Sequence, residues 1–175
     1  MTARVSKVDD DGGRARIHGL ITTGTASAPD ALLAHVEGFV PLSARKGSRP
    51  KERPVVPKDV APVAKWQLSR RAGLDFALLT GDFNPLHWVR PYARLMGFKS
   101  TIAHGYALMG RALEAIVAHE LGGDAARLAA LEVRFTAPTV LPASLGLYLA
   151  KGGAFTVGTA AGKTANLVGS FERRT

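Results

Sequence analysis

Residues 105–121, Gly-Tyr-Ala-Leu-Met-Gly-Arg-Ala-Leu-Glu-Ala-Ile-Val-Ala-His-Glu-Leu, carry polarity only at Arg111, Glu114, His119 and Glu120. A helix that is apolar on most faces must be enveloped by other structure. The chain after it reads as strands over 130–137, 144–151, 154–160 and 164–172. Gly152-Gly153 and Gly162-Lys163 supply the turns between them. One wrapped helix followed by an antiparallel sheet is an α+β layout. Hydrophobic residues make up 46% of the 175 residues and charged ones 21%, which is enough apolar matter for such a core.

Upstream, Ala3–Val8 and Ala15–Thr23 alternate apolar and polar residues around Asp9-Asp10-Asp11-Gly12-Gly13, the pattern of a β-hairpin. Leu32–Leu42 reads as a third strand, with Pro29-Asp30 as the break before it. Three strands bury little alone and need something to pack on or pair with. Five of the ten prolines then fall between Pro41 and Pro62, which blocks helix and central-strand pairing. The expected organisation is therefore an N-terminal β appendage over 1–44, a Pro-rich basic linker over 45–63 and a main domain over 64–175.

The net charge of +9 is uneven: Arg45, Lys46, Arg49, Lys51, Arg53 and Lys58 face only Glu52, so this stretch alone carries +5. A charge run of this kind is ordinarily a solvated face, with a strap for phosphates as the functional alternative. Aromatic interleaving for single-strand stacking is absent from it, so no nucleic-acid partner is expected. No apolar run reaches the ~18 residues of a membrane span, and the first residues have no apolar signal core, so a cytoplasmic protein without a membrane partner is expected. With no cysteine, a disulfide scaffold, a thiolate metal site and a cysteine nucleophile are excluded.

Between the linker and the long helix, Ser69 reads as the N-cap of a helix running to about Leu79, stopped by Gly81. Pro91 opens a short helix through Leu95, ended by Gly97. Between these lies Thr80-Gly81-Asp82-Phe83-Asn84-Pro85-Leu86-His87. Pro85 pushes Asn84 out of the helical region, so Asp82 and His87 can converge on one point. A carboxylate beside an imidazole can hold a water and move a proton. The plainer alternative is that Asp82 caps a helix and His87 is a packed core histidine. A second stretch, Ile102-Ala103-His104-Gly105-Tyr106, leads into the long helix. Free N–H groups there suit an oxyanion, and Gly105 allows close approach to the backbone. Alternatively, Gly105 is a tight-turn residue and His104 a helix cap.

Taken together, Gly81-Asp82-Phe83-Asn84-Pro85-Leu86-His87, Tyr92-Ala93-Arg94, Gly97-Phe98 and Ile102-Ala103-His104-Gly105 resemble the MaoC-like dehydratases, the family of (R)-specific enoyl-CoA hydratases and 3-hydroxyacyl-thioester dehydratases. Leu131-Glu-Val-Arg-Phe-Thr-Ala-Pro138 extends the resemblance, which covers roughly 66–172. It implies the hot-dog fold, a long helix wrapped by a curved antiparallel sheet. It implies that Asp82 and His87 are the acid/base pair and that the Gly105 N–H polarises a thioester carbonyl. Asn84 would orient the loop, with His104, Trp88 and Tyr106 beside the substrate. Trp88 could line an acyl tunnel or simply be core, and core is favoured. Gly110 would stand where relatives often carry a supporting serine.

The resemblance further implies reversible hydration of 2-enoyl thioesters, with (R) stereochemistry. The partner is an acyl-CoA or acyl carrier protein thioester. Neither a metal nor a cofactor is implied beyond coenzyme A as part of the substrate. Residues 3–44 resemble the last strands of the first half of a fused double hot dog, and a homodimer is expected. The rival readings are a hot-dog thioesterase, using Glu114 as the acid inside the helix, and a non-catalytic or partner-dependent subunit of a dehydratase. The stretch Gly158–Thr164 is similar to a phosphate-binding loop but lacks its first glycine and lies between strands, so it reads as a hairpin turn. His18, His35 and His119 lack metal-ligand spacing.

Overall fold

The computed structural model describes residues 1–42 and 52–174. The chain divides into two compact units, Met1–Lys51 and Glu52–Thr175. The basic residues Arg45, Lys46, Arg49 and Lys51 of the expected linker lie outside the described residues.

In the first unit, β1 (Thr2–Asp10), β2 (Arg14–Thr23) and β3 (Leu32–Pro41) form an antiparallel sheet in the order β1-β2-β3. The expected hairpin turn is fixed locally. The Asp10 carboxylate accepts from Gly12 N–H at 2.7 Å, and Asp11 accepts from Gly13 and Arg14 N–H at 3.0 and 2.9 Å. Gly12 takes φ +77°, which a glycine adopts without strain. Pairing register puts Val8, Ile17, Ile21, Val36 and Val40 on one face, while Lys7, Arg16, His18 and Glu37 share the other.

The second unit holds β4 (Ala64–Leu68), α1 (Ala72–Thr80), a 3-10 turn (Pro85–His87), α2 (Arg90–Leu95), α3 (Gly105–Glu120), β5 (Leu128–Phe135), β6 (Ala143–Leu149), β7 (Ala154–Gly158) and β8 (Ala165–Arg173). Its five strands are ordered β4-β6-β7-β8-β5, all antiparallel. Leu108, Ala112, Ala115 and Ile116 of α3 recur at helical spacing and pack on Leu145, Leu147, Phe155, Val157, Leu167 and Phe171 of the sheet. Full burial of each large aliphatic or aromatic side chain in this group stabilises by roughly 1.5–3 kcal/mol. The helix ends at Gly122 and Gly123, both at positive φ, with Gly123 N–H closing on Val117 O at 2.9 Å.

Three expectations are corrected. The long helix is buried along one stripe rather than on most faces, because Tyr106, Gly110, Arg111, Glu114 and Ala118 are exposed. Ser69 is not the cap residue of α1. Its hydroxyl accepts from Arg71 N–H at 3.1 Å as a turn two residues ahead, and the helix begins at Ala72. The later half of the expected linker belongs to the second unit. Val56 is fully buried against Tyr148 and Ala165, with Val56 N–H donating to Lys163 O and Ala165 N–H to Pro54 O, each at 2.8 Å. Proline density predicts an unpaired connector, yet Pro54 needs only its carbonyl to bind the start of β8.

Candidate active site

The chain between α1 and α3 builds the site. Gly81, at φ +78°, ends α1 by closing its N–H on Ala77 O at 2.8 Å. The reversal directs Asp82 outward, with its carboxylate about half exposed. Asn84 N–H donates to Asp82 Oδ1 at 3.2 Å, and Asn84 Oδ1 accepts from Leu86 N–H at 3.1 Å. Asn84 therefore shapes the loop as expected: its side chain caps the 3-10 turn that lifts His87 back toward Asp82.

His87 Nδ1 lies 2.9 Å from Ile102 O. A carbonyl only accepts, so Nδ1 carries the proton and the Nε2 of the neutral ring keeps a free lone pair. The Ile102 carbonyl is itself braced. Segment 101–103 is held between the turn and a second loop, with Ile102 N–H donating to Leu86 O at 3.4 Å and Ala103 N–H to Thr139 O at 2.8 Å.

His104 occupies the cap position of α3 but makes no side-chain cap hydrogen bond. Its ring is 3% exposed and stacks on His87, with centroids 3.6 Å apart and planes at 25°. Phe76 closes over the ring at 4.8 Å. Its Nε2–H donates to Asp82 O at 3.2 Å, and the Asp82 carboxylate lies 3.6 Å from the same nitrogen. Nδ1 is buried without a partner. As the lone-pair nitrogen of a neutral ring it tolerates that, whereas a second N–H there would be orphaned. Burial, and next the neighbouring His87, lower the His104 pKa from its ordinary 6.5, while Asp82 pulls the other way. His104 is thus a neutral strut between Asp82 and His87. Sequence reading placed it beside the substrate, because nothing in the local pattern announces a ring stacked across 17 residues.

Gly105 opens α3 behind His104, where the first N–H groups of a helix have no intrahelical acceptor. A Cβ on Gly105 would come within 2.9 Å of the Phe135 ring, so the approach to this N–H is narrow. Tyr106 stands beside it, half-exposed, edge-on to Phe135 at 5.7 Å. Trp88 is 42% exposed with Nε1–H donating to Phe83 O at 3.1 Å, which corrects the core reading. Gly110 is exposed with open space around it, so a serine there would reach nothing near Asp82. Ligand atoms of Asp82, His87 and His104 lie within 4.8 Å of one another. His104 Nε2 is committed to Asp82 O, and its Nδ1 is buried. A carboxylate and an imidazole therefore stand together at His104, one residue before the start of α3, a set of groups able to move a proton near a helix N-terminus.

One residue was missed altogether. Gly73 is buried in α1, and a Cβ there would fall inside the His87 carbonyl oxygen. The signal available was a glycine within an otherwise helical pattern.

Residues 47–169 match the MaoC like domain. The chain is 34% identical over 90 residues to "Probable enoyl-CoA hydratase 2" of Dictyostelium discoideum, covering 50% of this chain and 31% of that protein. It is 35% identical over 111 residues to "3-hydroxyacyl-thioester dehydratase X" of Mycobacterium tuberculosis, covering 63% and 37%. The chain thus spans about a third of the length of these relatives. A MaoC-like dehydratase from Phytophthora capsici shares the fold, with a TM-score of 0.70 at 23% identity over 97% of this chain and 61% of that one. The fold is the expected hot dog. The 47–169 match takes in α1, α2, α3 and the turn that carries His87, and the chain belongs to the family so described, the MaoC-like dehydratase domains.

Proposed function

We propose that the chain reversibly hydrates a trans-2-enoyl thioester to a 3-hydroxyacyl thioester. The observation that carries this reading is the His87 tautomer: Nδ1–H is fixed on Ile102 O, leaving Nε2 free to act as the base in a cluster where ligand atoms of Asp82 and His87 lie within 4.8 Å of each other. Water held between them loses a proton to the pair as its oxygen bonds to the β-carbon. The π electrons move toward the thioester carbonyl, and the developing oxyanion is met by Gly105 N–H at the positive end of α3. The pair then returns the proton to the α-carbon, giving the 3-hydroxyacyl product. The reverse sequence is dehydration.

Asp82, His87 and Gly105 are the catalytic residues in this reading, with Asn84 shaping the loop and Trp88 and Tyr106 exposed where an acyl arm can pass. The (R) outcome rests on the family's motif. The reaction requires neither metal nor redox cofactor, and coenzyme A enters only as part of a substrate. Glu114, the carboxylate a thioesterase reading needs, is exposed and about 14 Å along α3 from Gly105.

No helix among the described residues is long and apolar enough to cross a membrane, and we place the protein in the cytoplasm. A homodimer is supported by β5, the last strand in the pairing order, whose outer edge the sheet leaves unused.

The test is loss of the conjugated thioester absorbance of crotonyl-CoA and a longer enoyl-CoA. Wild type is expected to be active, and Asp82→Asn and His87→Ala each to lose at least ~10²-fold in kcat with the fold intact. A well-folded wild type inactive on every thioester would replace this reading with that of a subunit requiring a partner.

A further inference from the structure

From Phe83 to Leu113 the chain holds no Asp or Glu but four basic residues, Arg90, Arg94, Lys99 and Arg111. Three of these lie on or directly after α2, which packs on the His87 turn through Val89 N–H to Pro85 O at 2.8 Å. Ala93 is fully buried and marks the inner face of α2. At about 100° per residue, Leu95 then points outward, with Arg94 and Met96 on either side of it and Arg90 further round on the Arg94 side, toward the inner face. Leu95 is 83% exposed and Met96 55%. Large apolar side chains held this far into water, rimmed by cations beside a site, mark a protein-docking surface.

We infer that this ridge docks an acidic carrier protein bearing the acyl group as a thioester on a flexible arm. The inference rests on the thioester reading above. Charge complementarity selects the occupant. A second copy of this chain would bring Arg90 and Arg94 against like charge. Coenzyme A could use the cations, but its adenine and gem-dimethyl group offer less apolar surface than Leu95 and Met96 together hold out to solvent. An acidic amphipathic helix meets both, laying its apolar side on Leu95 and its carboxylates on Arg90 and Arg94.

The test compares one acyl group, crotonyl, on three arms: an acyl carrier protein, coenzyme A and N-acetylcysteamine. Both variants, Arg94→Glu and Leu95→Asp, change exposed side chains. The ratio of kcat/KM on the carrier to that on N-acetylcysteamine is expected to fall about tenfold in each, and in wild type to fall with added salt. An unchanged ratio overturns the inference. An equal loss on coenzyme A assigns the cations to its phosphates and also overturns it, and a change of oligomeric mass in either variant gives the ridge to a second copy. Direct binding of the carrier by wild type and Arg94→Glu separates the two readings. If binding is lost in the variant while wild type turns over none of the three, the docking stands and the hydratase reading fails.

Discussion

At the residue scale, His104 links Asp82 and His87, the pair on which the proposed reaction depends. It touches both, by a hydrogen bond to the backbone of one and a stacked ring on the other, yet it is buried away from any substrate. It is a positioning residue. His104→Ala is expected to lower kcat by ~10–100-fold with a smaller change in KM, the scale of a misplacement of about an ångström. His104→Gln, which can still donate to Asp82 O, should recover part of the loss. Its pH behaviour has a definite sign. The folded pKa is lowered, so below about 6.5 the unfolded chain binds the proton more readily and stability falls as pH drops from 6.5 toward the folded pKa. Urea unfolding of wild type from pH 7.5 to 5 should show that loss, and His104→Gln should flatten it. A variant with the wild-type slope sinks the assignment. Asp82 and His87 were legible in the sequence, because a proline turn brings two chemical groups together within five residues. The role of His104 was not, because it depends on a ring contact and an orphaned nitrogen that only tertiary packing creates. Trp88 was misread for the same reason, since an indole near a motif says nothing of which side faces water.

At the scale of elements, α1 and the His87 turn meet backbone to backbone at Gly73, where an added methyl has no side chain to displace. Helix propensity alone favours Gly73→Ala by about 1 kcal/mol. Overpacking against a carbonyl opposes it by typically 1–3 kcal/mol and moves His87 as well. The expected result is a lower Tm and a lower kcat together. Gly110→Ala is the contrast, in the same kind of element but facing open space, and should raise stability by up to about 1 kcal/mol with activity retained. Should both glycines respond alike, the contact at Gly73 is not what sets its cost. The last four strands of the second sheet were readable to within two residues, with Gly152-Gly153 and Gly162-Lys163 marking two of the turns, whereas β4 was not read as a strand. The start of α1 was not, because Ser69 makes a hydroxyl-to-backbone bond of its own two residues early.

At the scale of the whole molecule, the boundary that proline content suggests and the boundary that packing sets differ by about a dozen residues. Every buried residue of both hydrophobic clusters lies in Glu52–Thr175, and the earliest of them is Val56. Composition could not reveal this. Prolines report a missing N–H, but Pro54 contributes its carbonyl, and Val56 pairs through its own N–H and O with Lys163 and Gly162. A chain starting at residue 52 is therefore expected to fold with the second sheet intact. A chain starting at residue 64 loses a fully buried valine and four backbone hydrogen bonds at 2.8 Å, two to the turn before β8, one to the start of β8 and one from Val63 to β6. At roughly 1.5–3 kcal/mol for the side chain and about 1 kcal/mol for each bond, the deficit should be on the order of 5 kcal/mol. That is a large share of the stability of a domain this size. Urea denaturation of the two chains measures the difference directly. Equal midpoints would return residues 52–63 to the status of a connector, while a clear deficit makes them the first structural segment of the second unit, laid against the β7–β8 turn and the start of β8 before β4 begins.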